Sequence, residues 1–374
     1  MKKILIVGMT DNYGGVESFI MNYYRNMDRS KVNFDFLSFV GDIAYTDEIE
    51  ALGGTIYKMT GISQNILKFK QDMNIFFGNH ANEYCAIWVN YGIGLWSLVY
   101  LKYAKKHGMS RRIVHAHNAK NNCSSKLKYV LHYLNRYHIK NYATDFWACS
   151  EEAGKWFYYE KIRKESKYRI IRNAIDTQKY KYDEKIRKDV RRKFHWEDKL
   201  VIGNVGRIAE QKNPLFSVEI FNEIYKKNKN TICIHIGDGD SIIKEQMNKK
   251  IREYGLENAY YLLGIRKDIP ELYQAMDALL LPSLHEGLPV VLVEAQTAGL
   301  PCFTSTNVSK ESQLIENQIE FISLENGAAK WAERVLEKIN IFCRTDGSEK
   351  VLKAGYDCKK NAEIVMEQIL NCIE

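Results

Sequence analysis

The sequence of 374 residues predicts an α/β protein with two parallel-sheet domains. Short apolar runs alternate with longer segments of 3.6-residue periodicity, which is typical of parallel strands covered by helices. Both halves repeat this order of elements, although no repeat is visible in residue identity. The length also exceeds what one hydrophobic core usually organises. We therefore expect two Rossmann-like domains.

Seven strands are predicted in the first half of the chain. The first, at residues 3–8, is followed by a glycine-containing turn at 11–15 and by a helix with one apolar side. Six further strands are predicted at residues 32–40, 54–57, 84–88, 112–117, 145–149 and 168–172. Residues 173–176 break the pattern, and the charged segment 179–193 predicts one exposed helix.

A second series of α/β elements occupies the rest of the chain. Its strands are predicted at residues 200–205, 231–236, 259–263, 278–281 and 301–304. Apolar residues at helical spacing predict one long closing helix from Glu349 onward. We therefore expect an N-terminal domain at 1–173, a C-terminal domain at 174–348 and a closing helix at 349–374.

Composition and charge narrow the class of protein. With 45% hydrophobic and 27% charged residues and no low-complexity tract, the chain has the composition of a globular protein. Met1-Lys2-Lys3 runs directly into the first strand, and no apolar run approaches the about 20 residues that span a bilayer. The eight cysteines are scattered without a Cys-x-x-Cys pair, which indicates buried thiols in a reducing compartment. We expect a cytoplasmic location.

The net charge of +8 is unevenly distributed. Residues 102–172 contain 17 Lys and Arg against 5 Asp and Glu, together with Trp147 and the aromatic run 156–159. A basic surface that carries aromatic side chains fits an anionic membrane face. Nucleic acid is a second partner that such charge permits, and a solvated surface without a partner is the third interpretation. We expect the membrane and no nucleic acid, which would place the protein peripherally on the inner face of the cell membrane.

One segment, residues 285–295, is the most informative about function. Pro289 suits the first position of a helix, and Gly299 can end that helix. The backbone N–H groups of Gly287 and Leu288 then lie at a helix N-terminus, which binds anions without a side chain. Glu286 would lie immediately before this anion site.

Glu294, eight positions after Glu286, lies within a run of Val, Leu and Ala. A buried carboxylate is costly without a partner. A phosphate site with a carboxylate on each side suits a phosphorylated ligand that also carries hydroxyls, such as a nucleotide sugar. The alternative is an ordinary buried helix with a glutamate on its solvated edge.

The loops after other strands could complete the site, because ligands bind at the carboxyl ends of strands in open α/β sheets. Arg207 and Lys212 follow the strand at 200–205 and could hold a pyrophosphate, or Lys212 could be a solvated loop cation. Gly237 permits a tight turn after the next strand. Asp238 is either a helix cap or a ligand contact.

Two N-terminal features are weaker. Gly14 and Gly15 would allow the backbone to approach a phosphate, or they form only a tight turn. His115 and His117 point to one side of their strand, followed by Asn118. We expect His117 at the site and His115 in a structural role, because no further metal ligand follows at a suitable spacing.

In this order, the motifs resemble a known family. Residues 201–306, with Val205–Lys212, Ile236–Gly239 and Leu281–Pro289, resemble the donor domain of family 4 retaining glycosyltransferases, which have the GT-B fold. The segments 14–18 and 115–118 resemble its exopolysaccharide and capsule branch. The resemblance implies two domains that face each other across a cleft, with a C-terminal helix that packs back toward the N-terminal domain.

The resemblance also implies roles for the candidate residues. Arg207 and Lys212 would hold the donor diphosphate, and Glu286 would contact sugar hydroxyls. The N–H groups of Gly287 and Leu288 would contact phosphate, and Glu294 would bind the ribose. His117 would contact the sugar or the acceptor, and Gly14 and Gly15 would line the same space. Gly237 and Asp238 would lie beside the sugar. Ala174 and Asn213 replace glycines that are common in the family, which affects the expected loop geometry.

The activity implied is metal-independent transfer of a hexose, with retention, from a UDP-sugar in preference to a GDP-sugar. No cofactor or metal is expected, and the acceptor would be a polyprenyl-diphosphate-linked or other glycan. Two alternatives remain: a GT-B nucleotide-sugar epimerase, which needs no acceptor, and a non-enzymatic basic protein that binds a partner.

Overall fold

The computed structural model describes residues 1–91, 94–117 and 126–371. Its contacts divide the chain into two units, Met1–Ala174 with Cys358–Glu374, and Ile175–Asp357. Asn118 and the other residues from 118 to 125, which belong to the basic stretch, lie outside the described residues.

The N-terminal unit is a parallel sheet of seven strands in the order β3-β2-β1-β4-β5-β6-β7. The strands are β1 (Lys2–Val7), β2 (Val32–Ser38), β3 (Ile56–Lys58), β4 (Tyr84–Asn90), β5 (Arg112–Ala116), β6 (Asp145–Ala148) and β7 (Tyr168–Ile170). Its helices are α1 (Gly15–Asn26), α2 (Thr46–Ala51), α3 (Ile66–His80), α4 (Gly94–Lys106), α5 (Lys126–His138), α6 (Glu151–Phe157), α7 (Glu160–Arg163) and the last helix, α15 (Cys358–Asn371). Buried apolar side chains form a cluster on each face of the sheet, and α15 packs against α1.

The C-terminal unit is a parallel sheet of six strands in the order β10-β9-β8-β11-β12-β13. The strands are β8 (Leu200–Val205), β9 (Thr231–Ile236), β10 (Tyr260–Gly264), β11 (Ala278–Leu281), β12 (Cys302–Ser305) and β13 (Ile319–Ile322). Its helices are α8 (Glu184–Lys193), α9 (Pro214–Lys227), α10 (Ser241–Glu253), α11 (Ile269–Ala275), α12 (Val290–Thr297), α13 (Gly327–Ile341) and α14 (Ser348–Lys353).

The two doubly wound, parallel sheets confirm the predicted α/β class. In each sheet the strand order reverses beside the first strand, between β1 and β4 and between β8 and β11. Loops that leave neighbouring strands diverge at such a switch point and leave room for a ligand. The loop 206–213 after β8 and the loop 282–289 after β11 therefore lie at this position.

Four details of the prediction are wrong. The single closing helix is two helices, because Gly355 at φ +84 follows α14 and only α15 joins the N-terminal unit. The strand β13 is absent from the prediction, since Glu320 interrupts its short apolar run. The helix predicted at 179–193 begins at Glu184, where the side chain of Asp183 accepts from two backbone N–H groups. Pro289 is the N-cap of α12 instead of its first residue, while Gly299 ends that helix at φ +70 as predicted.

Candidate active site

Glycines determine the path of the loops after β8 and β9. The N–H of Gly206 donates to the carbonyl of Ile236 over 2.9 Å, and Gly237 lies directly beside it. A Cβ on Gly237 would be 2.1 Å from the carbonyl oxygen of Gly206, and Gly237 has φ +134. No other residue fits there, so the predicted tight turn at Gly237 is present.

Lys212 and Glu286 are brought together by the loops after β8 and β11. The ammonium group of Lys212 forms an ion pair with Oε1 of Glu286, and the side chains are 20% and 10% exposed. Ser283 Oγ donates to the same carboxylate oxygen over 2.8 Å. The N–H of Leu284 donates to the carbonyl of Gln211 over 2.8 Å and ties the two loops together.

Arg207 follows β8 on the same loop as Lys212. Its side chain is exposed, and within residues 1–91, 94–117 and 126–371 it has no hydrogen bond or ion pair. The guanidinium therefore carries a charge that no carboxylate of the described chain neutralises. With Lys212 paired to Glu286, the three side chains have a net charge of +1 toward an anionic ligand.

The N-terminus of α12 is uncapped. Pro289 provides no side-chain cap, and the N–H groups of Gly287 and Leu288 donate to no acceptor among the residues that the structure describes. The carbonyl of Glu286 accepts from Ser309 N–H over 3.1 Å, which holds the loop against the segment after β12. Free N–H groups at the positive end of a helix form an anion site.

Glu294, on α12, is half-buried and accepts hydrogen bonds from two tyrosines. Tyr180 Oη donates to Oε1 and Tyr273 Oη donates to Oε2, both over 2.9 Å. Burial raises the pKa of Glu294, and the two hydroxyls oppose this effect. These tyrosines compensate the burial that the sequence analysis attributed to a ribose. They were missed because Tyr180 lies 114 residues away in sequence.

Asp238 is not a helix cap. Its Oδ1 accepts from Gly239 N–H over 2.9 Å and from Lys244 Nζ over 3.0 Å. The hydrogen bond from Lys244 lowers the pKa of Asp238 below its ordinary value. Asp240 caps α10 instead, by accepting from the N–H groups of Ile242 and Ile243.

In the N-terminal unit, the glycine required by geometry is Gly8. A Cβ there would lie 2.2 Å from the carbonyl oxygen of Asn90, at the switch point between β1 and β4. Gly15 has nothing within 4 Å of such a Cβ, and Gly14 meets only the carboxylate of Glu17. Glu17 accepts from Thr10 N–H over 3.0 Å, which holds the loop after β1.

His117 lies just after β5 and is half-buried. Its Nε2 lies 2.9 Å from Oδ1 of Asn90, and burial lowers the pKa of His117 to about 3. The ring of His115 is 4.2 Å away and is fully buried against Trp88. His117 is therefore neutral at physiological pH. It can form a hydrogen bond with a ligand without bringing a positive charge to the site.

Three of the five aromatic residues named in the basic stretch lie in the core and not at a surface, while Trp156 and Tyr159 are partly buried. Trp147, Phe157 and Tyr158 are at most 1% exposed, so this part of the prediction is wrong. The runs that contain them belong to strand β6 and helix α6, whose apolar faces pack in the core. Arg111 is likewise buried, in an ion pair with Asp145 of 2.8 Å.

Across the described ranges, no three His, Cys, Asp or Glu side chains are grouped closely enough to hold a metal ion. No helix in the same part of the chain has both the length and the apolar character needed to cross a membrane.

Comparison with known proteins identifies relatives of the whole chain and of its parts. Residues 185–341 match the family "Glycosyl transferases group 1". EpsF of Bacillus subtilis, whose glycosyltransferase assignment is provisional, is 30% identical over 96% of this chain and 94% of its own length. An Escherichia coli enzyme, UDP-Gal:alpha-D-GlcNAc-diphosphoundecaprenol alpha-1,3-galactosyltransferase, is 34% identical over 42% of this chain and 41% of its own.

Among solved structures, Anabaena HepE in complex with UDP and glucose superposes with a TM-score of 0.79. The match covers 99% of this chain and all of HepE at 18% identity, and therefore concerns the fold alone. Sucrose-phosphate synthase from Thermosynechococcus elongatus matches with a TM-score of 0.76 and 16% identity, over all of this chain and 99% of that protein. These likenesses, together with the two sheets, confirm the predicted GT-B fold.

Proposed function

Because the chain belongs to the group 1 glycosyl transferases, we propose that it moves a hexose from a nucleotide diphosphate sugar to a glycan acceptor. The observation that carries this proposal is that the loops after β8 and β11 meet at the switch point between these strands, and that these loops carry Arg207, Lys212 and the free N–H groups of Gly287 and Leu288. Relatives named for amylovoran and capsular polysaccharide biosynthesis support a role in making an extracellular polysaccharide.

The site is suited to stabilising a leaving diphosphate. Departure of the diphosphate would place negative charge near Arg207 and the N-terminus of α12, whose positive charge is present before the reaction begins, which is electrostatic preorganisation. A bound diphosphate would compete with Glu286 for Lys212. One oxygen of Glu286 would then be released to accept from a sugar hydroxyl, so the ion pair links donor binding to recognition of the sugar.

Transfer would proceed with retention and without a metal. The leaving phosphate takes the proton of the acceptor hydroxyl on the face that the phosphate leaves, so no protein carboxylate acts as nucleophile. His117, neutral and hydrogen-bonded to Asn90, would contact the sugar or the acceptor. Gly14 and Gly15 would line that region without blocking it.

The nucleotide is proposed to be a uridine diphosphate, with its ribose hydroxyls donating to Glu294. Each carboxylate oxygen has two acceptor positions, so the tyrosine hydrogen bonds leave room for a ribose. The UDP bound to HepE and the UDP-galactose named for the E. coli relative support this choice. The diphosphoundecaprenol in the same name supports a lipid-linked acceptor and a position at the inner membrane face.

The test is thermal-shift binding of UDP- and GDP-sugars in EDTA, for the wild type and Glu294→Gln. UDP-sugars should raise the unfolding temperature of the wild type and lose most of this effect in Glu294→Gln, with Glu257→Gln on an exposed site as control. No stabilisation of the wild type by any nucleotide would contradict the proposed donor site. Turnover of the donor to another free nucleotide sugar without acceptor would indicate an epimerase instead.

A further inference from the structure

A cavity of about 250 Å³ lies at the amino end of the C-terminal sheet. Asp277 and Pro301 line it and immediately precede β11 and β12, whereas the loops of the candidate active site follow β8 and β11. The four residues of β11 rise about 13 Å, so the length of this strand separates the cavity from those loops. The volume is just below the about 300–1,000 Å³ of drug-sized ligand sites, and it therefore suits a small metabolite.

Arginines form the polar part of the lining. Arg187, which lines the cavity, and Arg191 both pair with the single carboxylate of Asp277. Arg344 also lines the cavity, and among the residues that the structure describes it pairs with no carboxylate. Its donors contact the main-chain carbonyls of Tyr273, Gln274, Met276 and Ala298. Three guanidinium groups against one carboxylate leave a formal charge of +2.

The C-terminus of α11 accounts for only part of this charge. Three of the carbonyls that Arg344 contacts lie at this helix end, and a helix C-terminus carries at most about −0.5 of an elementary charge. The neighbouring carboxylate of Glu184 is paired with Lys188. Burial, together with the charge of Arg187, lowers the pKa of Arg344 to about 9, as expected for a cation that lacks a compensating anion.

Hydrogen-bond donors remain for a ligand. In the described chain, the Nε–H of Arg187 has no acceptor, and Nη2 of Arg344 makes one hydrogen bond, to the carbonyl of Tyr273. Lys338 is half-buried and forms no ion pair with any described residue, and its ammonium lies 6.0 Å from the ring centre of Phe342 in the lining. A guanidinium presents a planar set of N–H groups that matches phosphate and carboxylate. This part of the cavity therefore suits an anionic group.

The rest of the lining is apolar. Ile339, Phe342 and Pro301 supply hydrocarbon surface, and the ring of Tyr182 lies 4.2 Å from the guanidinium carbon of Arg344. Inorganic phosphate would leave this apolar surface uncovered. A ligand that carries an apolar or planar body besides its anionic group fills both parts of the cavity.

We propose that this cavity binds a small organic anion, a phosphate or carboxylate on an apolar or ring-shaped body. The anionic group would lie against Arg187 and Arg344, and the body against Ile339 and Phe342. Binding would connect α8, which carries Arg187, to the segment after α13, which carries Arg344, and should raise the unfolding temperature. The inference does not depend on the proposed function, because the cavity is separate from the donor site.

The test is calorimetric titration with phenyl phosphate and with benzoate at physiological ionic strength, with benzyl alcohol as the neutral analogue. Two variants change the apolar lining and leave every arginine in place: Phe342→Glu adds a negative charge, and Ile339→Trp fills the cavity. The matched control is Ile341→Glu, which makes the same change of charge one residue before Phe342, at a site 81% exposed. The unfolding temperature without ligand verifies that each variant is folded.

At least one of the two anions should bind the wild type at least tenfold more tightly than benzyl alcohol, and the tighter of the two identifies the anionic group. Phe342→Glu and Ile339→Trp should each weaken this binding at least tenfold, and Ile341→Glu less than twofold. Failure of both anions to bind the wild type, or equal affinity for benzyl alcohol, would overturn the proposal. Equal losses in Phe342→Glu and Ile341→Glu would also overturn it.

The donor site offers phenyl phosphate a second place to bind, and Arg207→Ala separates the two sites. Binding should change less than twofold in Arg207→Ala; a loss there, with binding retained in Phe342→Glu, would assign the anion to the donor site and overturn the proposal. The UDP-sugar thermal shift should be retained in Phe342→Glu. Phenyl phosphate binding that Phe342→Glu abolishes, in a protein that no UDP-sugar stabilises, would refute the proposed function alone.

Discussion

The hydrogen bond from Tyr180 to Glu294 provides the sharpest test of the donor site. Tyr180→Phe removes one of two hydroxyls that hold the carboxylate, while it keeps the ring that packs near Tyr273. A hydrogen bond to a charged group contributes about 1.5–3 kcal/mol, against about 0.5–1.5 kcal/mol for a neutral pair. The loss of stability should therefore be larger where Glu294 is ionised.

The direction of the pH effect follows from the raised pKa of Glu294. Between the ordinary carboxyl pKa and its raised folded value, the folded state binds more protons than the unfolded state, so the free energy of unfolding falls as pH rises. Removing the Tyr180 hydroxyl raises this pKa further and extends the window upward. Tyr180→Phe should therefore lower the free energy of unfolding by about 1 kcal/mol in acid and by about 2–3 kcal/mol at neutral pH.

The assay is urea unfolding at several pH values, together with UDP-sugar affinity over the same range. If Glu294 binds the ribose as proposed, the acid limb of the affinity profile should move to higher pH in Tyr180→Phe, because the carboxylate would have to be ionised to accept from both ribose hydroxyls. The matched control is Tyr182→Phe, whose hydroxyl donates to the exposed Glu184. Equal effects of both variants, or a loss in Tyr180→Phe that does not vary with pH, would refute the reasoning.

Two other predictions concern charge. Arg207→Ala should lower the rate of transfer by about 10²–10³-fold, since it removes a preorganised cation. The unfolding temperature should stay within error, because the side chain is exposed. Unchanged transfer kinetics would refute the proposed role of Arg207. Burial lowers the pKa of His235 from 6.5 to about 4. The neutral imidazole therefore contributes fully to the free energy of unfolding above pH 6.5, and this contribution is lost as pH falls toward 4. In urea unfolding, His235→Phe should reduce by about 2 kcal/mol the loss of unfolding free energy that the wild type shows on going from neutral pH to pH 5. If the unfolding free energy of the variant depends on pH as it does in the wild type, His235 is not the group responsible.

The parts of the fold that could be predicted from sequence are those with local signals. Buried parallel strands are apolar runs, and the twelve predicted strands are all present within a few residues. The break after α14 also had a local signal, since Gly355 is a helix-ending residue within the predicted closing helix. Apolar residues at helical spacing continue on both sides of this glycine, and for that reason one helix is predicted where two are present.

The parts of the site that were missed depend on contacts between distant residues. Nothing near Glu294 in sequence indicates Tyr180, and Tyr273 reads as an ordinary core residue of α11. The same holds for position 8, which must be glycine because the carbonyl of Asn90, on a neighbouring strand, leaves no room for a Cβ. The predicted aromatic surface of the basic stretch is wrong for the same reason. The sequence contains the aromatic residues, but it does not show which face of a strand or helix each of them occupies.

The ion pair between Lys212 and Glu286 changes how the site should be understood. From the sequence, the two residues are expected to have separate roles, Lys212 toward phosphate and Glu286 toward sugar. Because the structure joins them, neither is fully available before a ligand arrives, and a diphosphate alone can separate them by offering Lys212 a stronger partner. A free hexose has no charge with which to do so. Under the proposed function, sugar recognition by Glu286 would therefore depend on the attached diphosphate, and the site would favour the activated donor over the free sugar.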